Sequence, residues 1–202
     1  GQALPLYDAI YDGGIQHILT RHEQGAVHAA DGYARSTGKV GVCIATSGPG
    51  ATNLVTGIAT ANMDSIPMVC ITCQVTRAQL GKDSFQEADM LGITAPITKH
   101  NFMVRDISRL PRILRKAFYL ASTGRPGPVV VDIPKDIFLQ EMEWGYPMVV
   151  TKVSWGYRAH DEGKLDQLKD ITEALSRSHF PVLFIGGGVL SAGVTEELKE
   201  FV

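Results

Sequence analysis

The stretch Val40–Gly50 reads VGVCIATSGPG and decides the fold class. Its first six residues are an unbroken apolar run, the pattern of a strand buried on both faces of a parallel sheet. The turn Ser47–Gly50 then opens a segment, Ala51–Asn62, whose apolar residues recur at helical spacing. A strand that feeds directly into a helix is half of a βαβ unit, so this stretch predicts an α/β domain.

Strand and helix patterns alternate on both sides of this stretch. The predicted strands are 16–20, 40–45, 68–72, 97–101 and 128–133. The predicted helices are 4–11, 23–37, 51–62 and 108–122, with a looser segment at 74–91. This alternation predicts a parallel sheet with helices on both faces.

A break in the periodicity divides the chain. Residues 141–160 carry Trp-Gly-Tyr motifs without helical or strand spacing, which predicts a linker between a first domain, 1–140, and the beginning of a second α/β domain, 161–202. There we expect an amphipathic helix from Leu165, a strand at Pro181–Ile185 and a last helix capped by Ser191. The absence of an initiator methionine leads us to expect a piece of a longer protein.

Composition excludes several function classes. The 202 residues are 45% hydrophobic and 20% charged, which is ordinary for a globular protein, and the net charge of −2 favours neither nucleic acid nor an anionic membrane. No run of about 18 apolar residues and no signal peptide is visible, so we expect a cytoplasmic protein. Cys70 and Cys73 have the spacing of a redox or zinc pair, but no second pair accompanies them, and buried thiols with no metal site are the favoured interpretation.

One carboxylate stands out at a helix start. Glu23 lies in Arg21–Ala26, RHEQGA, just before a small, apolar helical segment. A Glu at a helix N-terminus is favourable in itself, because its charge complements the helix dipole. Beside so apolar a surface it is expected to be partly buried, and a partly buried carboxylate needs a hydrogen-bond donor from the protein or from a ligand.

Other candidate motifs each admit a structural and a functional interpretation. Thr46–Asn53 is either a plain strand-to-helix turn or a ligand loop, and it is neither a Walker loop nor a dinucleotide fingerprint. Arg125 and Lys135 are either solvated loop cations or anion-binding groups next to a strand. Phe85-Gln86-Glu87 and Gly186-Gly187-Gly188 are weak signals when taken alone.

The order of these motifs resembles a known family. RHEQGA, TSGPGATN, Asp64–Pro67, Phe85–Glu87, Thr98–His100, GRPGP and Asp132–Asp136 follow one another as in the large subunit of acetohydroxyacid synthase (acetolactate synthase), a thiamine diphosphate enzyme. The resemblance implies that residues 1–140 are the pyrimidine-binding domain and that the tail begins the central, FAD-associated domain.

The resemblance also implies roles for individual residues. Glu23 would be the catalytic carboxylate that hydrogen-bonds the aminopyrimidine ring nitrogen and favours its imino tautomer. The remaining implied site residues are Thr46, Pro49, Asn53 and Gln86 in the thiamine diphosphate wall, Phe85 and Lys135 at the substrate entrance, and Arg125, Gly186, Gly187 and Gly188 at FAD.

The implied reaction is decarboxylation of pyruvate and condensation with a second 2-keto acid. Pyruvate as acceptor gives acetolactate and 2-ketobutyrate gives acetohydroxybutyrate, both used in valine, leucine and isoleucine biosynthesis. The resemblance implies Mg²⁺ held by ligands outside this chain, an active site between the subunits of a homodimer or tetramer, and a possible regulatory small subunit. The chain alone is expected to be inactive.

Alternatives stay open at this point. Glyoxylate carboligase and the catabolic, FAD-free acetolactate synthase are sibling enzymes, although the first lacks a Glu at position 23 and the second lacks the Phe-Gln-Glu match. A non-catalytic association domain is the alternative from another class. Three local departures from the family pattern are Gly1–Leu4, Cys73 and Thr76.

Overall fold

The structure, a computed structural model, describes residues 1–143 and 163–202. The chain divides into two units, Gly1–Arg158 and Ala159–Val202. The predicted linker, 141–160, lies almost entirely outside the described residues, and the predicted boundaries at 140 and 161 stay predictions.

The first unit is built on a parallel sheet, as the sequence predicts. Its four strands are β1 (Gly41–Ala45), β2 (Met68–Gln74), β3 (His100–Met103) and β4 (Pro128–Pro134), in the order β1-β2-β4-β3. In register, Ala45 lies beside Thr72 and Gln74 beside Pro134. Because all pairs are parallel, the carboxyl ends of β1, β2 and β4 lie at one edge of the sheet.

Seven α-helices complete the described part of this unit. They are α1 (Leu4–Asp12), α2 (Glu23–Thr37), α3 (Pro49–Thr52), α4 (Val55–Met63), α5 (Met90–Thr94), α6 (Leu110–Ser122) and α7 (Lys135–Phe138). The bounds of α2 are those that the sequence predicts. Its start is fixed by His22, whose Nδ1 accepts a hydrogen bond from the backbone N–H of Gln24, and its end by Gly38 at φ +69°.

Helices cover both faces of the sheet, which confirms the predicted α/β class. On one face, Val27 of α2 and Ile58 of α4 pack with Cys70 of β2 in a buried cluster. On the other face, Ala117 of α6 and Ile137 of α7 pack against the valines of β4. The strands are apolar on both sides because both sides are covered.

Two predicted strands of the first unit differ from the structure. The segment 16–20 is extended but forms no strand, and its apolar residues Ile18 and Leu19 are exposed. Apolar alternation specifies a pleated, half-buried surface but not a pairing partner, and within the described residues no strand pairs with this segment. The strand predicted at 97–101 begins only at His100, because a 3-10 turn occupies Ala95–Ile97.

The predicted helix 51–62 is two helices. The α-helical hydrogen-bond pattern is interrupted after α3, because the backbone N–H of Leu54 donates to the carbonyl of Ala51, three residues earlier, instead of Gly50, four residues earlier. The pattern begins again in α4. Gly57 of α4 lies so close to α2 that an added Cβ would be 2.3 Å from a methyl of Val27. This close approach sets the direction of α4 and leaves Asn53 at the break between the helices.

The described part of the second unit contains three helices. These are α8 (Leu165–Arg177), α9 (Gly187–Ala192) and α10 (Thr195–Phe201). The strand predicted at Pro181–Ile185 is wrong, because no described residue of this unit pairs with it and a lone strand leaves its backbone groups unsatisfied. The predicted cap is also wrong: Ser191 lies inside α9, where its Oγ donates to the Gly187 carbonyl, and Val194 precedes the last helix.

The thiols are free and buried. Cys43, Cys70 and Cys73 all lie in the first unit, and burial raises the pKa of Cys73 to about 12. Among residues 1–143 and 163–202, no three His, Cys, Asp or Glu side chains form a group suited to a metal ion. No helix in those ranges has both the length and the apolar character needed to cross a membrane.

Candidate functional site

The candidate site lies at the carboxyl edge of the sheet. Thr46 follows β1, Gln74 ends β2 and Lys135 follows β4. Open parallel sheets bind ligands at this edge, since the loops that leave the strands converge there. Two of the residues singled out from the sequence, Thr46 and Lys135, therefore lie on the same edge.

Glu23 begins α2 and is oriented by the protein. Asn53 Nδ2 donates a hydrogen bond of 3.1 Å to Glu23 Oε2. This bond, helped by the backbone N–H of Glu23 itself, lowers the pKa of the Glu23 carboxyl. Glu23 is half-buried, as the sequence predicts, and it presents an ionised carboxylate at neutral pH.

The turn between β1 and α3 lies directly against this carboxylate. A Cβ on Gly50 would be 3.2 Å from Glu23 Oε1 and 2.7 Å from the methyl of Thr46, so only glycine fits there. Pro49, between two glycines, is exposed. The structure thus brings Glu23, Thr46, Pro49 and Asn53 into one neighbourhood.

Two buried hydroxyls in this turn lack a partner. Thr46 Oγ1 and Ser47 Oγ are both inaccessible to solvent, and neither hydrogen-bonds any described residue. Buried polar atoms are nearly always satisfied, and leaving one unpaired costs about 1–3 kcal/mol. Both hydroxyls lie in the turn that packs against the oriented Glu23 carboxylate.

The loop that carries Phe85 and Gln86 closes over the same turn. Gly48 has φ +60°, and a Cβ placed on it would be 2.7 Å from the carbonyl oxygen of Gln86. Gln86 itself has φ +61°, a strained conformation for a residue other than glycine. Its side chain hydrogen-bonds no described residue, and Phe85 is 85% exposed.

Glu87 holds this loop together. Its carboxylate accepts hydrogen bonds from the backbone N–H groups of Gly81 and Ser84, which lower its pKa. Of the three residues in the Phe-Gln-Glu motif, Glu87 therefore supports the loop, while Phe85 and Gln86 remain available to a ligand.

Lys135 begins α7 and lies beside an ion pair. Arg77 Nε donates to Asp136 Oδ2 at 2.6 Å, and Arg77 Nη1 donates to the carbonyl of Arg105. These contacts tie the start of the 75–89 loop to the end of β4. Lys135 forms no ion pair with a described residue, so its ammonium group is available at the edge of the sheet.

The residues assigned to FAD belong to two different units. Arg125 donates to Ser65 Oγ and to the carbonyls of Asn62 and Met63 at the end of α4. Gly186, Gly187 and Gly188 belong to the other unit, with open space around each of them. Within the described residues nothing singles out a flavin, so this assignment stays a prediction.

Sequence reasoning missed a buried polar group beneath the site. Asp132 on β4 accepts hydrogen bonds from Thr72 Oγ1 at 2.7 Å and from Gln74 Nε2 at 3.0 Å. The signal was present in the sequence, since three polar residues interrupt apolar strands near their carboxyl ends. Ser47 was missed too, although it lies next to the predicted Thr46.

Comparisons with known proteins find relatives along the whole chain. Residues 1–93 match the family model of the thiamine pyrophosphate enzyme N-terminal TPP binding domain. The chain is 54% identical to an acetolactate synthase of Arthrospira platensis, over 99% of the chain and 35% of that protein. It is also 54% identical to the acetolactate synthase large subunit of Corynebacterium glutamicum and 52% identical to that of Haemophilus influenzae, over 100% of the chain and 32% and 35% of those proteins.

The relatives are longer than this chain. It spans about a third of the length of the curated relatives that it matches. The match nevertheless runs from end to end of the chain, and the family model covers Glu23, the Thr46–Asn53 turn and Gln86. Residues 1–93 therefore belong to the thiamine pyrophosphate enzyme N-terminal domain family, and the chain is similar over its whole length to acetolactate synthases.

Proposed function

We propose that this chain forms the pyrimidine-binding side of the thiamine diphosphate site in an acetolactate synthase large subunit. One observation carries the proposal: the Glu23 carboxylate, oriented by Asn53, lies against a glycine turn whose buried hydroxyls lack partners. The similarity to acetolactate synthases across the chain supports it.

The residues present fit an aminopyrimidine ring. Such a ring needs an acceptor for a ring N–H, polar groups near its amine and a close-fitting small surface. Glu23 is an ionised acceptor, Thr46 and Ser47 offer unpaired hydroxyls, and Gly50 allows close approach. Gln86 adds an amide with no partner among the described residues.

In this proposal, residues of the chain bind the proton of the pyrimidine ring nitrogen and orient that ring. When bound, thiamine diphosphate supplies the electron sink for decarboxylation of a 2-keto acid. Glu23 would accept a hydrogen bond from the ring nitrogen and share its proton, and the hydrogen bond from Asn53 would hold the carboxylate in one orientation. The lowered pKa of Glu23 keeps this acceptor ionised at neutral pH.

The substrates and partners of the whole protein are part of the same proposal. The donor is pyruvate, the acceptor is pyruvate or 2-ketobutyrate, and Phe85 and Lys135 lie at the entrance. Mg²⁺ and the diphosphate are held by residues outside this chain, so the chain alone does not catalyse. The active site lies between subunits of a cytoplasmic homodimer or tetramer, with a regulatory small subunit as a further partner, and the products serve branched-chain amino acid biosynthesis.

FAD belongs to the proposal only through the family resemblance. The described contacts of Arg125 are with its own unit, and Gly186–Gly188 show no contact that selects a flavin. No step of the reaction is assigned to FAD.

The test uses the full-length protein that contains this chain, supplied with thiamine diphosphate, Mg²⁺ and FAD. It is incubated with pyruvate, with and without 2-ketobutyrate, and both products are quantified. We expect acetolactate from pyruvate alone and acetohydroxybutyrate in the mixture. No product from pyruvate, with tartronate semialdehyde formed from glyoxylate, would overturn the proposal in favour of a carboligase.

A further inference from the structure

A small polar network is buried at the ends of the two central strands. Thr72 and Gln74 of β2 both donate to the carboxylate of Asp132 on β4. All three residues are essentially inaccessible to solvent. A buried polar network is costly unless every member is satisfied, so its geometry is tightly specified.

The amide of Gln74 uses both its nitrogen and its oxygen in hydrogen bonds. Nε2 donates to Asp132 Oδ2 at 3.0 Å and to the carbonyl of Ala88 at 2.7 Å. Oε1 accepts from the backbone N–H of Val75 at 2.9 Å. Asp132 therefore fixes which way the amide points, and the amide in turn fixes Ala88.

Ala88 belongs to the loop that closes over the candidate site. It lies two positions after Gln86, whose backbone contacts Gly48 across the turn after β1. The loop between Gln74 and Asp89 contains turns but no helix or strand. The Gln74 contact is thus a direct link between the sheet and the end of the loop nearest to Gln86.

We propose that Gln74, oriented by Asp132, is a positioning residue that holds the Phe85–Gln86 turn against Gly48. Without it, the Ala88 end of the loop loses its attachment to the central strands. For the ligand, the inference rests on the proposed function, since Gln86 is a thiamine diphosphate-binding residue only under that proposal. The attachment of the loop to the sheet does not depend on it.

The test variant is Gln74→Met in the full-length protein. Methionine keeps the length and bulk of the side chain but removes the amide donors and the oxygen that accepts from Val75. The matched control is Asn101→Leu, because Asn101 Nδ2 also donates to two acceptors, Leu91 O at 2.8 Å and Thr94 Oγ1 at 3.2 Å, but on α5 instead of the loop. A general loss of stability affects both variants, whereas a loss of positioning affects only the first.

The first measurement is trypsin cleavage after Lys82 in the cofactor-free protein, followed by mass spectrometry. Lys82 is exposed within the loop, and its cleavage rate reports how often the loop opens. We expect Gln74→Met to raise this rate about ten-fold and Asn101→Leu to leave it within about two-fold. Equal rates in Gln74→Met and the wild type would overturn the proposal.

The second measurement is the dissociation constant of thiamine diphosphate by titration calorimetry. We expect it to rise about ten-fold in Gln74→Met and to stay near the wild-type value in Asp132→Asn, which keeps an oxygen acceptor for the Gln74 amide. Faster cleavage with unchanged affinity would overturn the link to the ligand. A wild-type protein that binds no thiamine diphosphate would overturn the proposed function, while the cleavage rates would still decide whether Gln74 holds the loop.

Discussion

Asn53 Nδ2 lies 3.1 Å from Glu23 Oε2, and the two residues are 30 positions apart in the sequence. The contact exists because α3 ends just before Asn53 and because Gly57 lets α4 approach α2 closely. It turns one oxygen of Glu23 toward the protein and leaves the other against Gly50. The proposed hydrogen bond between Glu23 and a bound pyrimidine depends on this orientation.

Replacing Asn53 by aspartate tests the orientation of Glu23. Two carboxylates at this distance cannot both ionise easily, so the pKa of Glu23 should rise instead of being lowered. We expect the acid limb of the pH–kcat/KM profile of the full-length enzyme to move to higher pH. Asn53→Ala is the control, since it removes the donor without adding a charge and should move that limb less. Superimposable profiles for the Asn53→Asp and wild-type enzymes would contradict this account of Glu23.

Replacing Gly48 by alanine tests the contact between the turn and the loop. The added methyl would meet the Gln86 backbone at 2.7–2.9 Å, and φ is +60°. Gly38→Ala is a matched control with φ +69° and nothing within 4 Å. We expect Gly38→Ala to lower the free energy of unfolding by about 1 kcal/mol and Gly48→Ala by about 2–4 kcal/mol. Equal urea midpoints for the two variants would show that the Gln86 loop does not pack closely against Gly48.

The raised pKa of Asp132 predicts an unusual pH dependence of the free energy of unfolding. Burial raises its pKa from 3.8 to about 6, despite the hydrogen bonds from Thr72 and Gln74. Because the folded state binds this proton more tightly than the unfolded state, the stabilisation is complete below pH ~4 and is lost as pH rises through about 6. Across this pH range, this contribution of Asp132 to the free energy of unfolding falls by about 3 kcal/mol.

Replacing Asp132 by asparagine removes this titration. We expect the thermal midpoint of Asp132→Asn, relative to that of the wild type, to be higher at pH 7.5 than at pH 4. The comparison of the two proteins at each pH cancels the titration of other groups. A difference that does not change between these two pH values would contradict the raised pKa of Asp132.

The FAD assignment is tested at Arg125. If the family resemblance holds, Arg125→Ala in the full-length protein should lower the flavin absorbance that remains after gel filtration. Because Arg125 also donates to Ser65 Oγ at 2.8 Å and to the end of α4, Ser65→Ala is the control for loss of that local contact. Unchanged flavin content in Arg125→Ala would remove Arg125 from the FAD site.

Much of the first unit follows from local signals in the sequence. The buried strands are continuous apolar runs, and α2 is bounded by a half-buried Glu23 and by Gly38, so its limits were predictable. The structure of segment 16–20 was not predictable, because a strand needs a neighbouring strand to pair with and hydropathy does not reveal whether one is present. For the same reason Pro181–Ile185 has strand composition without strand structure.

The candidate site was only partly predictable. Glu23 and Thr46 were recognised because their motifs are distinctive, and the parallel sheet explains why their neighbourhood is shared. The contacts that hold the neighbouring loop were harder to predict: Gln74 reaches Ala88 across 14 positions and Asp132 across 58. Such contacts are set by the register of β2 and β4, which local patterns do not specify.

The most direct test of the central claim is Glu23→Gln in the full-length enzyme. The change keeps the size of the side chain and its contact with Asn53 but removes the negative charge that receives the ring proton. We predict that kcat with pyruvate falls at least about 100-fold, while the circular dichroism spectrum and thermal midpoint stay close to those of the wild type. A folded Glu23→Gln enzyme with near-normal turnover of pyruvate would contradict the role assigned to Glu23.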